Sequence, residues 1–364
     1  MARMGLGEHW ECLLANDIDP KKRDAYLQNF GPDHFLCGDI GALSTNDCPG
    51  YADLAWASFP CQDLSLAGKG SGLAGTRSST FWCFWRLITE LSGEGRKPKS
   101  VIVENVCGLL TSNGGEDFKT ICRALFVENY RVSAFIVDAS HFVPQSRPRL
   151  FIIGFDQSLG LTHITSQCPD PKWHTRQLVA AVDQFPEFLT NSWVWLGLAE
   201  VETKPKKIID IVESSTDSVW NTENETRYII SMMSDANKAK LANVMALGTR
   251  CIGTIYRRTR IEQGQRIQRA EVRFDGVAGC LRTPGGGSSR QIIIEVEGNA
   301  IRTRLMSPRE YARLMGLPES YRLPSKLNDA YHLLGDGLAV PVVNHIAQSV
   351  LEPALKSPLE LVIV

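Results

Sequence analysis

Between residues 12 and 155 the chain alternates apolar, β-branched runs with stretches of helical spacing, a rhythm that few architectures accept. Cys12 to Asp17, His34 to Cys37, Leu54 to Phe59, Val101 to Val103, Val132 to Val137 and Arg149 to Phe155 read as strands. Pro20 to Phe30, Thr80 to Leu91 and Asp117 to Glu128 read as helices, with Gly31-Pro32 and Gly93 as stops. Strands this apolar need cover on both faces, so the expected fold is α/β, a Rossmann-like and mostly parallel sheet between helices. From about Leu159 the rhythm is lost. Residues 1–157 are therefore expected to form an α/β domain, 158–302 a smaller irregular domain, and 303–364 a return to the first.

The 364 residues carry a formal net charge of −1, so any nucleic-acid surface must be local. One stretch qualifies. Nine arginines and no lysine lie between Arg250 and Arg290, opposed only by Glu262, Glu271 and Asp275. No apolar run approaches the ~20 residues of a membrane span, and no signal-peptide core opens the chain. The ten cysteines are scattered without a CxxC pair, which points to a reducing cytosol and away from disulfides or structural zinc. The spacing of Gly68-Lys69-Gly70-Ser71 does not meet the phosphate-loop pattern.

Asp17, Asp39, Cys61, Glu104 and Arg149 all fall at carboxyl ends of expected strands, where open α/β sheets hold ligands. Cys61 follows the run Trp56 to Phe59, which Pro60 terminates, and precedes a glycine-rich segment from Gly68 to Gly72. A thiolate, a carboxyl and two guanidinium groups suit one chemistry. The thiolate adds to C6 of a pyrimidine whose N3 is hydrogen-bonded or protonated, and C5 becomes nucleophilic enough to take a methyl group.

The residues carrying that chemistry resemble the motifs of the DNA cytosine-5-methyltransferase family, bacterial type, in family order. Phe59-Pro60-Cys61-Gln62 is similar to its nucleophile motif and Glu104-Asn105-Val106 to its Glu-Asn-Val motif. Gln145-Ser146-Arg147-Pro148-Arg149 is similar to Gln-x-Arg-x-Arg. Arg304-Leu305 through Gly316-Leu317-Pro318 and Tyr321 resembles the motif after the recognition region, and Gly335 to Val342 the last motif. The resemblance implies Cys61 as nucleophile, Glu104 on the N3 edge of an extruded cytosine, and Arg147 and Arg149 positioning the base and stabilising charge. It implies S-adenosylmethionine as methyl donor and no metal, with Asp17, Ile18, Asp39, Ile40, Pro60 and Asp336 on the donor. It implies double-stranded DNA as partner of a monomer in the bacterial cytosol, at the nucleoid, and leaves a cognate restriction endonuclease open. Gln62, Ser65, Arg77, Arg257, Arg258, Arg260, Arg282 and Arg290 are the candidate DNA contacts. A segment from Gly68 to Arg77 would close over the base.

Two departures from the pattern stand out. The family's opening aromatic-x-Gly-x-Gly motif is missing, and Met1 to Gly7 resembles the helix that follows it. The expectation is a start placed on an internal methionine, with a truncated form as the alternative. Asp336 stands where many members carry Asn near the donor's carboxylate. Two rival functions are an inactive relative that only binds or regulates DNA, and an RNA cytosine-5 methyltransferase, whose Cys-Phe-Thr signature is absent.

Overall fold

The computed structural model describes residues 1–59, 79–201, 206–213, 219–284 and 289–356. In chain order its first elements are α1 (Ala2–Leu6), β1 (Ala15–Asp17), α2 (Pro20–Phe30), β2 (Phe35–Cys37) and β3 (Leu54–Ser58). There follow α3 (Ser79–Gly93), β4 (Ser100–Asn105), α4 (Glu116–Val127), β5 (Tyr130–Asp138) and β6 (Pro148–Asp156). Next come β7 (Thr165–Ser166), α5 (Arg176–Val182), α6 (Glu187–Thr190), β8 (Trp195–Leu196), α7 (Glu223–Ser231) and α8 (Asp235–Met245). The last are β9 (Cys251–Glu262), β10 (Gln265–Arg273), β11 (Ile292–Glu297), β12 (Ala300–Leu305), α9 (Pro308–Leu314), α10 (Leu327–Asp336), α11 (Val340–Ile346) and α12 (Glu352–Leu355).

The chain separates into two compact units. The first is Leu6–Val137, Pro148–Glu200 and Asn344–Val364, of which the last residues lie outside the described ones. Its centre is β4, buried at all six positions, in a four-stranded sheet of order β3-β4-β6-β5. On α3, Phe81, Phe84, Trp85 and Ile88 recur at helical spacing and bury beside Val101 and Val103. On α4, Phe118, Ile121, Cys122 and Leu125 do the same. A methyl group on Gly154 of β6 would sit 2.8 Å from Leu125 Cδ2, so only glycine lets α4 approach this closely.

The α/β class holds, but the sheet is mixed. β3 runs parallel to β4, β1 runs parallel to β2, and β6 runs antiparallel to β4. The reason is the connection that precedes β6. Ala139 to Arg147 contains only a turn of 3-10 helix, too short for the crossover that a parallel neighbour requires.

The second unit comprises Met1–Gly5, Asp138–Arg147 and Val201–Val343. Its antiparallel sheet has the order β10-β9-β11-β12. Ile255, Val272, Ile292, Ile294 and Val296 pack against Met232, Met233 and Leu241 from α7 and α8. This region, irregular by sequence, thus has a core of its own. Arg304 at the end of β12 is 2% exposed and donates to both carboxyl oxygens of Glu310 on α9, at 2.8 and 2.5 Å. Glu310 is fully buried, and its oxygens also accept from the backbone N–H groups of Ser307 and Glu213. Helix α10 has no counterpart among the sequence expectations; it carries Ala330, Tyr331 and Leu334 inward.

Candidate active site and nucleic-acid interface

β3 and β4 end side by side, with Ser58 in register with Glu104. Beyond Ser58 only Phe59, buried against Phe81, precedes Pro60. Cys61, Pro60, Gln62, Ser65 and Arg77 lie outside the described residues. Glu104 is 8% exposed, and Arg149 Nε approaches its Oε1 at 3.2 Å. Register explains the meeting: β6 pairs Phe151 with Glu104 and Leu150 with Asn105, which carries Arg149 to the same sheet edge. Arg149 also donates to the Pro148 carbonyl, at 2.9 Å. A carboxyl held by a guanidinium at a sheet's carboxyl edge can present one oxygen to a ring nitrogen in a fixed orientation.

Asn105 beside it is 3% exposed; its Oδ1 accepts from the Val106 N–H, while its Nδ2 finds no hydrogen-bond partner among the described residues. Its signal was available in the Glu-Asn-Val motif.

Arg147 is differently occupied. Its guanidinium is buried and donates to the carbonyls of Leu281 (2.8 Å), Gly335 (2.9 Å) and Gly337 (2.7 Å). Arg147 is expected at the base, and in the structure its guanidinium spans two backbone segments. Gln145 acts alike, donating to the Leu314 carbonyl and accepting from the Leu281 N–H. Asp336 ends α10 with an exposed side chain, while the carbonyls on either side of it go to Arg147.

Asp17 and Asp39 stand at the carboxyl ends of the parallel pair β1–β2, where Asp17 is in register with Cys37. Asp17 Oδ1 accepts from the Asp19 N–H and its Oδ2 lies 3.9 Å from Lys22 Nζ, while Asp39 Oδ1 caps a 3-10 turn at Gly41. Directly after Asp17, Ile18 is 66% exposed, an uncommon setting for an isoleucine. Ile40 packs partly buried against the α3 core. Two carboxylates and one bare apolar side chain fit an adenosine group, whose hydroxyls donate and whose ring is flat and apolar.

The arginine-rich stretch forms the β9–β10 hairpin and the strand ends that follow. Its acids are all engaged: Glu271 with Arg260 and Arg258, Glu262 with Arg269, Asp275 with Arg273. The Arg269 guanidinium holds the Glu262 carboxyl below the usual carboxylate range. Arg258 and Arg282 lie over the Tyr256 ring at 5.5 and 5.9 Å, and Arg290 over Tyr331 at 4.7 Å. Tyr256 was not singled out by sequence, and Glu262 and Glu271 were noted only as charges opposing the arginines, without their pairings. The period-2 alternation Tyr256, Arg258, Arg260, Glu262 was the signal that could have found them.

The profile of the family described as C-5 cytosine-specific DNA methylase matches residues 2–352. The chain belongs to this family. Among curated members, it is 26% identical to the type II methyltransferase M.HgiCI of Herpetosiphon aurantiacus over 94% of this chain and 91% of that one. It is 27% identical to M.HpaII of Haemophilus parainfluenzae, over 94% and 83% of the two chains. Among solved structures, a DNMT2 mutant from Spodoptera frugiperda superposes with TM-score 0.59 at 17% identity, over 95% of this chain and 94% of that one. The Entamoeba histolytica methyltransferase EhMeth gives TM-score 0.59 at 15% identity, over 92% and 88%. At such identities these two establish a shared fold for this methylase-family chain.

Proposed function

We propose that the protein methylates C5 of cytosine in double-stranded DNA through a transient bond between Cys61 and C6 of a base turned out of the helix. The observation that carries this reading is the Glu104–Arg149 pair at the edge where β3 delivers the chain toward Cys61. Curated relatives named as type II methyltransferases support the substrate class. S-adenosylmethionine, when bound, supplies an electrophilic methyl group. Cys61 as thiolate attacks C6, Glu104 holds the N3 edge, and Arg149 fixes the carboxyl and offsets the charge that develops on the ring. After C5 has gained the methyl group and lost its proton, the sulfur–carbon bond breaks and the thiolate is regenerated. Residues 1–157 and 303–364 then serve catalysis and donor binding, and 158–302 target recognition.

A duplex carrying 5-fluorocytosine at the target should trap the adduct, because fluorine cannot leave C5 as a proton does. The expected product is a protein–DNA band that survives denaturation and needs the methyl donor. A complex that dissociates fully in denaturant would overturn addition at C6.

Donor binding in this reading uses Asp17, Asp39 and the exposed face of Ile18. Ile18→Ala should weaken S-adenosylmethionine by roughly tenfold, the worth of burying most of such a side chain. Because Ile18 is 66% exposed, thermal stability should hardly move. Calorimetric titration checks this, and equal affinity in both proteins would remove Ile18 from the donor site.

A further inference from the structure

We propose that the ribbon formed by β9 and β10 beyond Ile255 enters the DNA major groove, where Arg260 reads a guanine and Glu271 a neighbouring cytosine. The inference rests on the methyltransferase reading above and names the specificity residues of its recognition surface.

β11 pairs with β9 only as far as Ile255. From Tyr256 to Glu262 the ladder partner among the described residues is β10, from Glu271 back to Gln265. The two-residue turn Gln263-Gly264 has φ of 50° and 77°, the left-handed pair of a type I′ turn, whose twist suits a tight hairpin. The result is roughly 20 Å of two-stranded ribbon at ~3.4 Å per residue, a shape that the major groove admits.

Alternation sorts its side chains. Tyr256, Arg258, Arg260 and Glu262 share one face with Arg269 and Glu271, while Arg257 and Arg266 fall on the other. The first face lines a concavity of about 490 Å3 to which Asn237 and Lys240 also contribute. Arg260 and Arg258 remain 50% and 45% exposed although paired with Glu271. Exposed pairs of this kind contribute little, so base edges can replace them. The guanidinium fork matches O6 and N7 of guanine, and a carboxylate accepts from the N4 amine of cytosine. When Arg260 transfers to a base, Arg258 stays 3.6 Å from Glu271 and offsets its charge near the phosphates.

The test is selection of bound duplexes from a randomised library by the full-length protein, followed by sequencing. The wild type should select a site containing guanine. Arg260→Ala should lose roughly ten- to hundredfold preference at one guanine position, and Glu271→Gln should relax a cytosine position near it. Arg260→Lys keeps the charge and loses the fork, so it should retain overall affinity and lose the same preference. Arg266→Ala, on the opposite face, should change no position of the selected site. An unchanged site in Arg260→Ala and Arg260→Lys, or a wild type that selects nothing, would overturn the assignment. Radiolabelled methyl transfer to the selected duplexes is scored separately. Selection without transfer would refute the enzymatic reading and leave the ribbon standing.

Discussion

Replacing Cys61 by serine is expected to lower methyl transfer by roughly ten-thousandfold or more, the scale on which enzymes respond to loss of a covalent nucleophile. At neutral pH a few per cent of an ordinary thiol is already thiolate, whereas a serine hydroxyl is essentially never ionised. The sulfur is also the better leaving group when the adduct must break. DNA affinity should stay nearly unchanged, since one small side chain replaces another of similar shape. Initial rates of label incorporation into duplex DNA, with binding followed in parallel, decide the matter. A serine variant within tenfold of wild type would exclude thiol addition and would leave the Glu104–Arg149 pair without its proposed purpose.

The second large effect concerns stability. Arg304→Ala is expected to cost about 3–5 kcal/mol, because it strands the Glu310 carboxylate in a fully buried place with backbone donors as its remaining partners. Arg304 also stacks over Trp220 at 5.3 Å, so truncation removes apolar contact as well as charge. The double variant Arg304→Ala/Glu310→Gln should recover part of the loss by removing the unpaired charge. Chemical denaturation of the wild type, Arg304→Ala, Glu310→Gln and the double variant measures the coupling. An Arg304→Ala variant within 1 kcal/mol of wild type would show that the pair contributes little (the ordinary outcome for an exposed pair, not for one this buried).

The candidate site residues were legible because their signals are local. A run of apolar residues ending in Pro60 marks a strand end, and the sequence spacing alone put Glu104 and Arg149 at two others. The register then brought those two together at 3.2 Å, within two residues of the expected bounds of β4 and β6. Asp17 and Asp39 were equally plain, since an acid after a short apolar run needs no distant partner to be noticed. Arg147 was not. From its motif it looks like a companion of Arg149, yet positions two apart share a face only while the strand continues. Arg147 precedes β6, and its guanidinium turns to carbonyls more than a hundred residues away in sequence.

The sequence by itself determined the α/β class, the family motifs with their candidate chemical residues, and the stretch rich in arginine. These depend on hydrophobic period and residue type, which each segment carries alone. Only the tertiary structure decided that β6 runs against β4, that α10 exists, that Arg147 ties backbone, and that Arg258 and Arg260 face Glu271. Each of those outcomes is a pairing between distant segments. Which partner a strand or a charged side chain finds is fixed by connection length, register and competition for burial, and no single window of residues contains them.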